Sequence, residues 1–361
     1  MQFKCPCWPP DSSELNAEIQ AAVSQLVDSG EWARYKSPHQ ELVRKSLAEL
    51  SGCEHVRLCG SGSAAVEIAL RAAGVGPGDE VIVAAYDYGG NFRAIEAVGA
   101  KPVLVDVAPN SVTIDAEQVA QFANGPDAGS IKSVLVSHLY GVAAPVQPLR
   151  DLCDQKNWTL IEDACQVPGM NIDGRPAGSF GDIATFSFGG SKPLTAGNGG
   201  AVVTNSSRMS LRMNALLDRP SDSQPLSSLQ CAVLLPQLNH LPKLNAKRRA
   251  TISQLASVAL GTWTFLSGPV DSVLASHYKA AWLCDSQETR DRAIEKAAAN
   301  GLPMGVGFRS MSRSSERRCR KPFPLDRSLQ LEEQIVLLDH TALLVEPDQI
   351  SVLIDCLAEA S

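Results

Sequence analysis

Short runs of consecutive apolar residues alternate along the chain with longer stretches in which apolar residues recur every three or four positions. The runs are typical of strands buried on both faces, and the longer stretches are typical of helices that cover them. This repeated order of strand and helix predicts an α/β fold with a mainly parallel sheet. The predicted strands are 55–58, 80–84, 102–106, 133–137, 159–162, 182–187 and 200–204, and the helices between them are 64–73, 91–98, 116–122 and 146–155.

Two further regions flank this alternation. Helical spacing before it predicts an N-terminal helical segment over about residues 13–50, with a loop at 28–38. We predict a large domain over residues 1–240 and a smaller C-terminal α+β domain over residues 241–361. After a break near Pro220, the pattern predicts helices 228–238, 242–260, 289–300, 331–338 and 349–359 and strands 276–283 and 302–308.

Composition narrows the classes of function. With 44% apolar and 20% charged residues, the 361-residue chain is typical of a globular protein, and it contains no apolar run long enough to cross a bilayer. A net charge of -7 argues against a nucleic-acid partner, and the basic cluster Arg313–Lys321 is interpreted as a solvated loop. The N-terminus lacks the apolar stretch of a secretory signal. We therefore expect a cytoplasmic protein with no membrane or nucleic-acid partner.

The ten cysteines are scattered, and several lie in apolar runs where a reduced thiol packs as a small apolar group. Cys5 and Cys7 are close enough in sequence to share a metal ion. No second cysteine or histidine pair follows at the spacing of a zinc site, so we predict no metal.

A turn rich in glycine and serine, Cys59-Gly-Ser-Gly-Ser-Ala-Ala65, follows a predicted strand and opens a predicted helix. Its glycines let the backbone approach an anion, and the helix amides with the hydroxyls of Ser61 and Ser63 can bind a phosphate. The same pattern also occurs as a simple helix cap. The spacing excludes a Walker phosphate loop and fits a dinucleotide fingerprint poorly.

An acidic pair and a lysine follow two later strands. Asp163 stands at the end of an apolar strand, where a carboxylate needs a cation or serves to cap the next segment. Glu162 should point to the opposite face of the strand and have a structural role. Lys192 follows Gly189-Gly-Ser191, a setting in which a lysine is otherwise a solvated loop residue. A lysine amine and a carboxylate held one ring apart are what pyridoxal phosphate requires.

Together these segments resemble the DegT/DnrJ/EryC1/StrS family of pyridoxal-phosphate-dependent sugar aminotransferases. The resemblance implies the α/β fold of the fold-type-I transferases, pyridoxal 5'-phosphate as cofactor, and a homodimer. It spans roughly residues 30–205 and is carried by residues 61–65, 76–83, 97–106, 137–141, 161–166, 178–182, 186–188, 191–192 and 199–204.

The resemblance implies a role for individual residues. Lys192 is similar to the lysine that binds the cofactor covalently and moves a proton during catalysis. Asp163 is similar to the carboxylate that keeps the ring nitrogen protonated. Tyr88 occupies the place of an aromatic that stacks on the ring, and Gln166 that of a glutamine near the ring's phenolic oxygen. The phosphate-binding positions of the family fall on Gly62, Ser63 and Ser187.

Substrate contacts are harder to assign. His138 is a candidate, although a histidine at a strand end is also typical of a hydrogen-bonded support. Arg309 is a candidate for binding a carboxylate, although a surface arginine fits the pattern equally well. The chain departs from the family at 189–193, at 305–310 where a substrate loop is expected, and at 223–228, where the asparagine and arginine that approach the neighbouring subunit are absent.

Three functions are compatible with these residues. The first is a pyridoxal-phosphate-dependent aminotransferase that moves an amino group from an amino acid, such as glutamate, to a keto-sugar or another small carbonyl compound. The second is a pyridoxal-phosphate-dependent dehydratase or eliminating enzyme. Relatives that run this reaction with histidine in place of the lysine differ from this chain, which keeps Lys192. The third is a protein of the same fold with a regulatory role.

Overall fold

The computed structural model describes residues 2–8, 14–219, 221–268, 270 and 273–361. Residue 13, where the predicted N-terminal segment begins, and Pro220, where the predicted break lies, are outside the described residues. The helices are α1 (Glu14–Ser29), α2 (Pro38–Ser51), α3 (Gly62–Ala72), α4 (Gly89–Ala97), α5 (Ala116–Ala123), α6 (Val146–Lys156), α7 (Ser207–Leu217), α8 (Ser228–Leu255), α9 (Gln287–Ala299), α10 (Asp326–Gln334) and α11 (Ile350–Ala360).

Most of the strands are short, and all of those in the main sheet were expected from the apolar runs. They are β1 (His55–Cys59), β2 (Glu80–Ala84), β3 (Lys101–Val105), β4 (Ile131–Ser137), β5 (Thr159–Asp163), β6 (Asn171–Ile172), β7 (Arg175–Pro176), β8 (Ile183–Ser187), β9 (Gly200–Thr204), β10 (Asp218–Arg219), β11 (Ser221–Asp222), β12 (Thr264–Phe265), β13 (Val273–Leu274), β14 (Lys279–Leu283), β15 (Met304–Val306) and β16 (Ile335–Asp339).

The seven predicted strands form one sheet in the order β1-β9-β8-β5-β4-β2-β3. The neighbours from β8 to β3 pair in parallel, and β9 runs antiparallel to both β1 and β8. The predicted mainly parallel sheet is confirmed. Since β1 runs in the same direction as the parallel strands, six of the seven carboxyl ends meet at one edge of the sheet.

The apolar runs are continuous because both faces of this sheet are covered. Successive side chains of a strand point to opposite faces. Accordingly Val81 and Val83 of β2 belong to one hydrophobic core, and Ile82 and Ala84 belong to the other. Helices must lie on both faces, as the strand-helix alternation predicts.

The C-terminal region contains a second sheet, which is antiparallel and has the order β12-β14-β16-β15. It packs on α9 and α11 around a core that includes the fully buried Trp282. The predicted helix 331–338 is wrong in its second half. Helix α10 ends at Gln334, and the run Ile335–Asp339 forms β16 because it pairs with β14 and β15 on its two sides.

The two helices predicted over 228–260 are also wrong, because α8 is a single helix over Ser228–Leu255 that contains Pro236 and Pro242. Proline removes one backbone hydrogen bond and disfavours a helix interior. Helix α8 nevertheless continues past both prolines, and it packs against α1 and α2. The domain boundary predicted at residue 240 stays a prediction, and residue 240 lies inside this helix.

Eight of the ten cysteines are buried. Desolvation raises the pKa of most of the buried thiols, for example to about 12 for Cys231, so they stay protonated and pack as apolar groups. Within the described residues, none of the helices combines the length and the apolar character that a bilayer span requires.

Glu162 and His138 are both fully buried and join two central strands to the loop before β8. His138 Nδ1 accepts a hydrogen bond from the Ala144 N–H at 3.0 Å, so its Nε2–H donates to Glu162 Oε1 at 3.0 Å. The Glu162 carboxylate also accepts backbone N–H bonds from Gly178 and Gly181. Burial alone would raise the pKa of Glu162, but these hydrogen bonds outweigh it and lower that pKa. The structural role predicted for Glu162 agrees with these contacts.

We expect Glu162→Gln to destabilise the protein by about 3 kcal/mol, because the new amide group would face N–H donors in place of an acceptor. The measurement is urea unfolding at neutral pH, with Glu49→Gln on the exposed face of α2 as the matched control. The pKa of Glu162 is lowered on folding. The stability it adds is therefore present above its unfolded pKa and lost as the pH falls through its folded value. A difference that does not shrink in acid would contradict this account.

Candidate active site

The carboxyl ends of β1, β2, β5 and β8 surround a cavity of about 330 Å³. Such an edge is where parallel α/β sheets bind ligands. The seven residues predicted from the sequence to contact a cofactor all line this one cavity: Gly62, Ser63, Tyr88, Asp163, Gln166, Ser187 and Lys192. Residues from four separate strand ends thus converge on one space.

One end of the cavity is suited to an anion. Helix α3 begins there, and Ser61 caps it by accepting a hydrogen bond from the Ala64 N–H at 3.1 Å. The first turn of a helix presents backbone N–H groups that have no partner inside the helix. Ser187 lies so close to Gly62 that a Cβ on residue 62 would stand 2.6 Å from the serine Oγ. The glycine therefore lets the strand end and the helix start approach each other around the anion position.

Another part of the lining is formed by a buried carboxylate. Asp163 is 6% exposed, and its Oδ1 accepts a hydrogen bond from the Cys165 N–H at 3.0 Å. Its Oδ2 accepts from Asn91 Nδ2 at 2.8 Å. Among the described residues, no cationic side chain forms an ion pair with Asp163. A cation from a bound molecule would satisfy this charge.

Lys192 lies on the cavity wall, between its glycine-rich loop and Tyr278 from the C-terminal region. Its Nζ is 4.5 Å from the centre of the Tyr278 ring, a distance at which a cation is attracted to the aromatic face. The Tyr278 hydroxyl is 3.0 Å from Ser191 Oγ, so the same tyrosine also contacts the residue before the lysine. Tyr278 thus contacts both Lys192 and the end of the glycine-rich segment that precedes it.

Aromatic side chains form the remaining wall. Tyr88 is 42% exposed, and its ring packs edge-on against Phe308, with 5.8 Å between the ring centres. Phe308 comes from the 305–310 segment and stacks on Tyr140 at 5.5 Å. Its N–H donates to the hydroxyls of Tyr86 and Tyr140 at 3.1 and 3.3 Å. Tyr88 and Tyr278 thus line the cavity with Phe308, and Tyr86 and Tyr140 support Phe308 by packing against its ring.

Backbone strain marks the same wall. Tyr140 has a φ of 59°, in the left-handed region that a bulky residue rarely occupies. Its N–H donates to Gln166 Oε1 at 2.7 Å, and its hydroxyl is held by Tyr86 at 2.9 Å. Such strained residues cluster at functional sites because surrounding contacts must fix them. Gln166 therefore holds the tyrosine as well as lining the cavity.

The two candidate substrate residues do not line the cavity. His138 is fully buried beneath it and is engaged by Glu162 and the Ala144 N–H, as a hydrogen-bonded support would be. Arg309 is exposed, next to Phe308, whose side chain reaches the cavity in its place. The geometry supports neither of them as a substrate contact.

The lining residues that sequence reasoning missed include Asn91, Tyr278 and Phe308. Asn91 lies in the first turn of α4, with no motif around it. Tyr278 lies in a predicted strand of the C-terminal region, where no pattern linked it to the lysine. Phe308 belongs to the segment noted as divergent, and that departure was the one available signal.

The chemical groups that line the cavity match the parts of pyridoxal phosphate. The helix start and the serine hydroxyls suit a phosphate, the unpaired buried carboxylate suits a protonated ring nitrogen, and Tyr88 offers an aromatic face. The lysine supplies an amine for the cofactor aldehyde. Pairing of Asp163 with a protonated ring nitrogen would give the buried carboxylate the cation that it otherwise lacks.

Comparison with known proteins points to the same chemistry. The model of the DegT/DnrJ/EryC1/StrS aminotransferase family matches residues 13–357. The chain is similar to GDP-perosamine synthase of Vibrio cholerae, with 34% identity over 55% of this chain and 53% of that protein. It is equally similar to dTDP-3-amino-3,4,6-trideoxy-alpha-D-glucose transaminase of Streptomyces venezuelae, with 34% identity over 69% of this chain and 67% of that enzyme. The match spans about half the length of the first of these relatives.

Solved structures confirm the fold over the whole chain. The crystal structure of 3-amino-5-hydroxybenzoic acid synthase superposes with a TM-score of 0.88 and 25% sequence identity, covering 100% of this chain and 99% of that one. The α/β architecture of fold type I, expected from the resemblance, is therefore confirmed. Pyridoxal phosphate is the cofactor of the matching family.

We expect Gly62→Ala to weaken binding of pyridoxal phosphate by about tenfold or more, because the new methyl group would overlap Ser187 at the anion end. The measurement is a titration of the purified protein followed by absorbance. Gly76→Ala is the matched control, since a methyl group there would meet no atom within 4 Å. Equal affinity of Gly62→Ala and the wild type would show that the phosphate does not bind at the start of α3.

Proposed function

Because the chain belongs to the DegT/DnrJ/EryC1/StrS aminotransferase family, we propose that it is a pyridoxal-phosphate-dependent aminotransferase. It takes the amino group from an amino acid, with glutamate as the first donor to test. It transfers the group to a keto-sugar or another small carbonyl compound. The observation that carries the proposal is the convergence of Lys192, Asp163 and Ser187 on one cavity.

The cofactor, when bound, supplies an electron sink that makes the proton on the substrate carbon acidic. The protein groups supply placement and proton handling. The start of α3 with Ser63 and Ser187 would bind the phosphate. Asp163 would accept a hydrogen bond from the ring nitrogen and keep it protonated, and Tyr88 would cover one face of the ring.

Lys192 would have two duties in this site. Its Nζ would hold the cofactor before substrate arrives, and it would then carry the proton that moves during transfer. A flexible approach to the lysine suits both duties. Gly189 and Gly190 precede it, and Tyr278 provides a surface on which the freed ammonium can rest.

The acceptor would enter beside the aromatic wall. Phe308 and Tyr88 line the cavity in an edge-on pair, and flat or ring-shaped molecules pack well on such surfaces. This wall supports a ring-shaped carbonyl compound as acceptor, a class that includes keto-sugars. Phe308 stands in the 305–310 segment, so the divergence of this segment would shape the choice of acceptor.

Homodimerisation and a cytoplasmic location complete the proposal. The exposed aromatic residues Trp32 and Tyr35, which are 52% and 85% accessible, lie between α1 and α2 and support a contact with a second copy. Exposed aromatic residues are enriched where proteins associate. A biosynthetic enzyme that uses free amino acids would act in the cytoplasm.

Borohydride reduction of the protein with pyridoxal phosphate should attach the cofactor to Lys192. Peptide mass spectrometry locates the label. Lys279 is an internal control, because its Nζ also lies on the Tyr278 ring, at 4.7 Å, but faces an ion pair with Asp339. A label on Lys279, or a Lys192→Ala variant that is labelled as fully as the wild type, would contradict the assignment.

Glutamate alone should yield about one equivalent of 2-oxoglutarate per site, because the amino group is retained until an acceptor arrives. Addition of an accepted keto-sugar should turn this single turnover into continuous release. The measurement is an enzymatic assay of the oxo acid. Release of ammonia or water without any donor would favour an eliminating enzyme. A cofactor-loaded protein that forms no oxo acid with any amino acid would favour a regulatory role.

A further inference from the structure

A second carboxylate is buried at the same edge of the sheet, and the function proposed above does not use it. Asp87 follows β2 and is 1% exposed. Its Oδ1 accepts a hydrogen bond from the Tyr88 N–H at 2.6 Å, and its Oδ2 lies 2.8 Å from Ser137 Oγ at the end of β4. A charge at this depth requires compensation.

One amide group connects the two carboxylates. Asn91 Nδ2 is 2.8 Å from Asp163 Oδ2, 3.3 Å from Asp87 Oδ1 and 3.0 Å from Ser137 Oγ. An amide nitrogen has two hydrogens, so it cannot serve three acceptors fully. The Asn91 Oδ1 atom is buried and has no partner. The Thr185 hydroxyl, 3.5 Å from Asp163 Oδ1, is a further donor, but it leaves Asn91 Oδ1 without a partner. The cluster therefore still lacks a donor, and one additional proton would supply it.

The charges around Asp87 favour such a proton. The groups that face it are the hydroxyl of Ser137 from β4, the amide of Asn91 from α4, the backbone of Tyr88, and the Asp163 carboxylate from β5. None of the lysine, arginine or histidine side chains in the described ranges forms an ion pair with it. Burial, together with the like charge of Asp163, raises the pKa of Asp87 to about 8.

We propose that Asp87 is a positioning residue of the ring-nitrogen site, which holds one proton for the Asp87–Asp163 pair so that a single negative charge faces the cofactor ring. Asp163 then carries the charge, because it is the carboxylate that lines the cavity. A protonated ring nitrogen balances that charge, and the buried cluster is neutral overall. The inference rests on the proposed function only for the identity of the ring.

The proton on Asp87 can be observed without cofactor. The infrared spectrum of the wild type minus that of Asp87→Asn should show the C=O stretching band of a protonated carboxylic acid at neutral pH. This band should disappear with a midpoint near the pKa of about 8. If Asp87→Asn does not fold, the same titration of wild-type protein with ¹³C-labelled aspartate decides the point. Absence of a protonated band at neutral pH would overturn the proposal.

The pH dependence of the melting temperature is a second test for the proton on Asp87. The pKa of Asp87 is raised on folding from 3.8 to about 8, so the folded state keeps a proton that the unfolded chain has lost. The melting temperature of the wild type should therefore fall relative to Asp87→Asn as the pH rises through this window, and the difference should level off above it. A difference that is independent of pH would indicate a merely structural residue and overturn the proposal.

Measurements of cofactor binding distinguish the roles of Asp87 and Asp163. Asp163→Asn makes the same chemical change on the other side of Asn91, and it should weaken binding of pyridoxal phosphate at every pH. The affinity of the wild type relative to Asp87→Asn should instead rise by about tenfold as Asp87 loses its proton, since the new negative charge attracts the protonated ring. Parallel pH profiles of the wild type and Asp87→Asn would overturn the proposal. If no protein binds the cofactor, the proposed function fails, while the infrared result still decides the state of Asp87.

Discussion

The burial of Asp163 at the end of a central strand is the constraint on which the site depends. A carboxylate that is 6% exposed must be compensated, and the surrounding backbone and Asn91 supply hydrogen bonds but no positive charge. The remaining compensation must come from a bound cation or from the protonation of neighbouring groups. The fold determines the position of Asp163, since the parallel sheet places it at the edge where the other strand ends converge.

Different elements at the sheet edge form the two ends of the cavity. The start of α3, next to Ser187, provides the anion end, and β5 with α4 provides the carboxylate end. The C-terminal region closes the cavity with Tyr278 and Phe308, which reach residues near the lysine and the ring position. In the proposed function, proton placement therefore depends on the large sheet, whereas access and choice of acceptor depend on the aromatic wall.

The sequence predicted those parts of the molecule that depend on local pattern. The strands of the main sheet and Lys192 follow from apolar runs and turn residues close by in the chain. The link between Asp87, Asn91 and Asp163 depends on β4 lying between β2 and β5, which no local pattern specifies. The run Ile335–Asp339 is too short for periodicity to separate strand from helix, and its pairing decides the outcome. Helix α8 is likewise continuous across two prolines that locally disfavour a helix, and it packs against α1 and α2.

The crystal structure of the protein grown with pyridoxal phosphate tests the central claim most directly. Continuous electron density should join Lys192 Nζ to the cofactor, with the ring nitrogen beside Asp163 and the phosphate between the start of α3 and Ser187. Density for the ring elsewhere in the molecule, or for a ring whose nitrogen faces away from Asp163, would contradict the account.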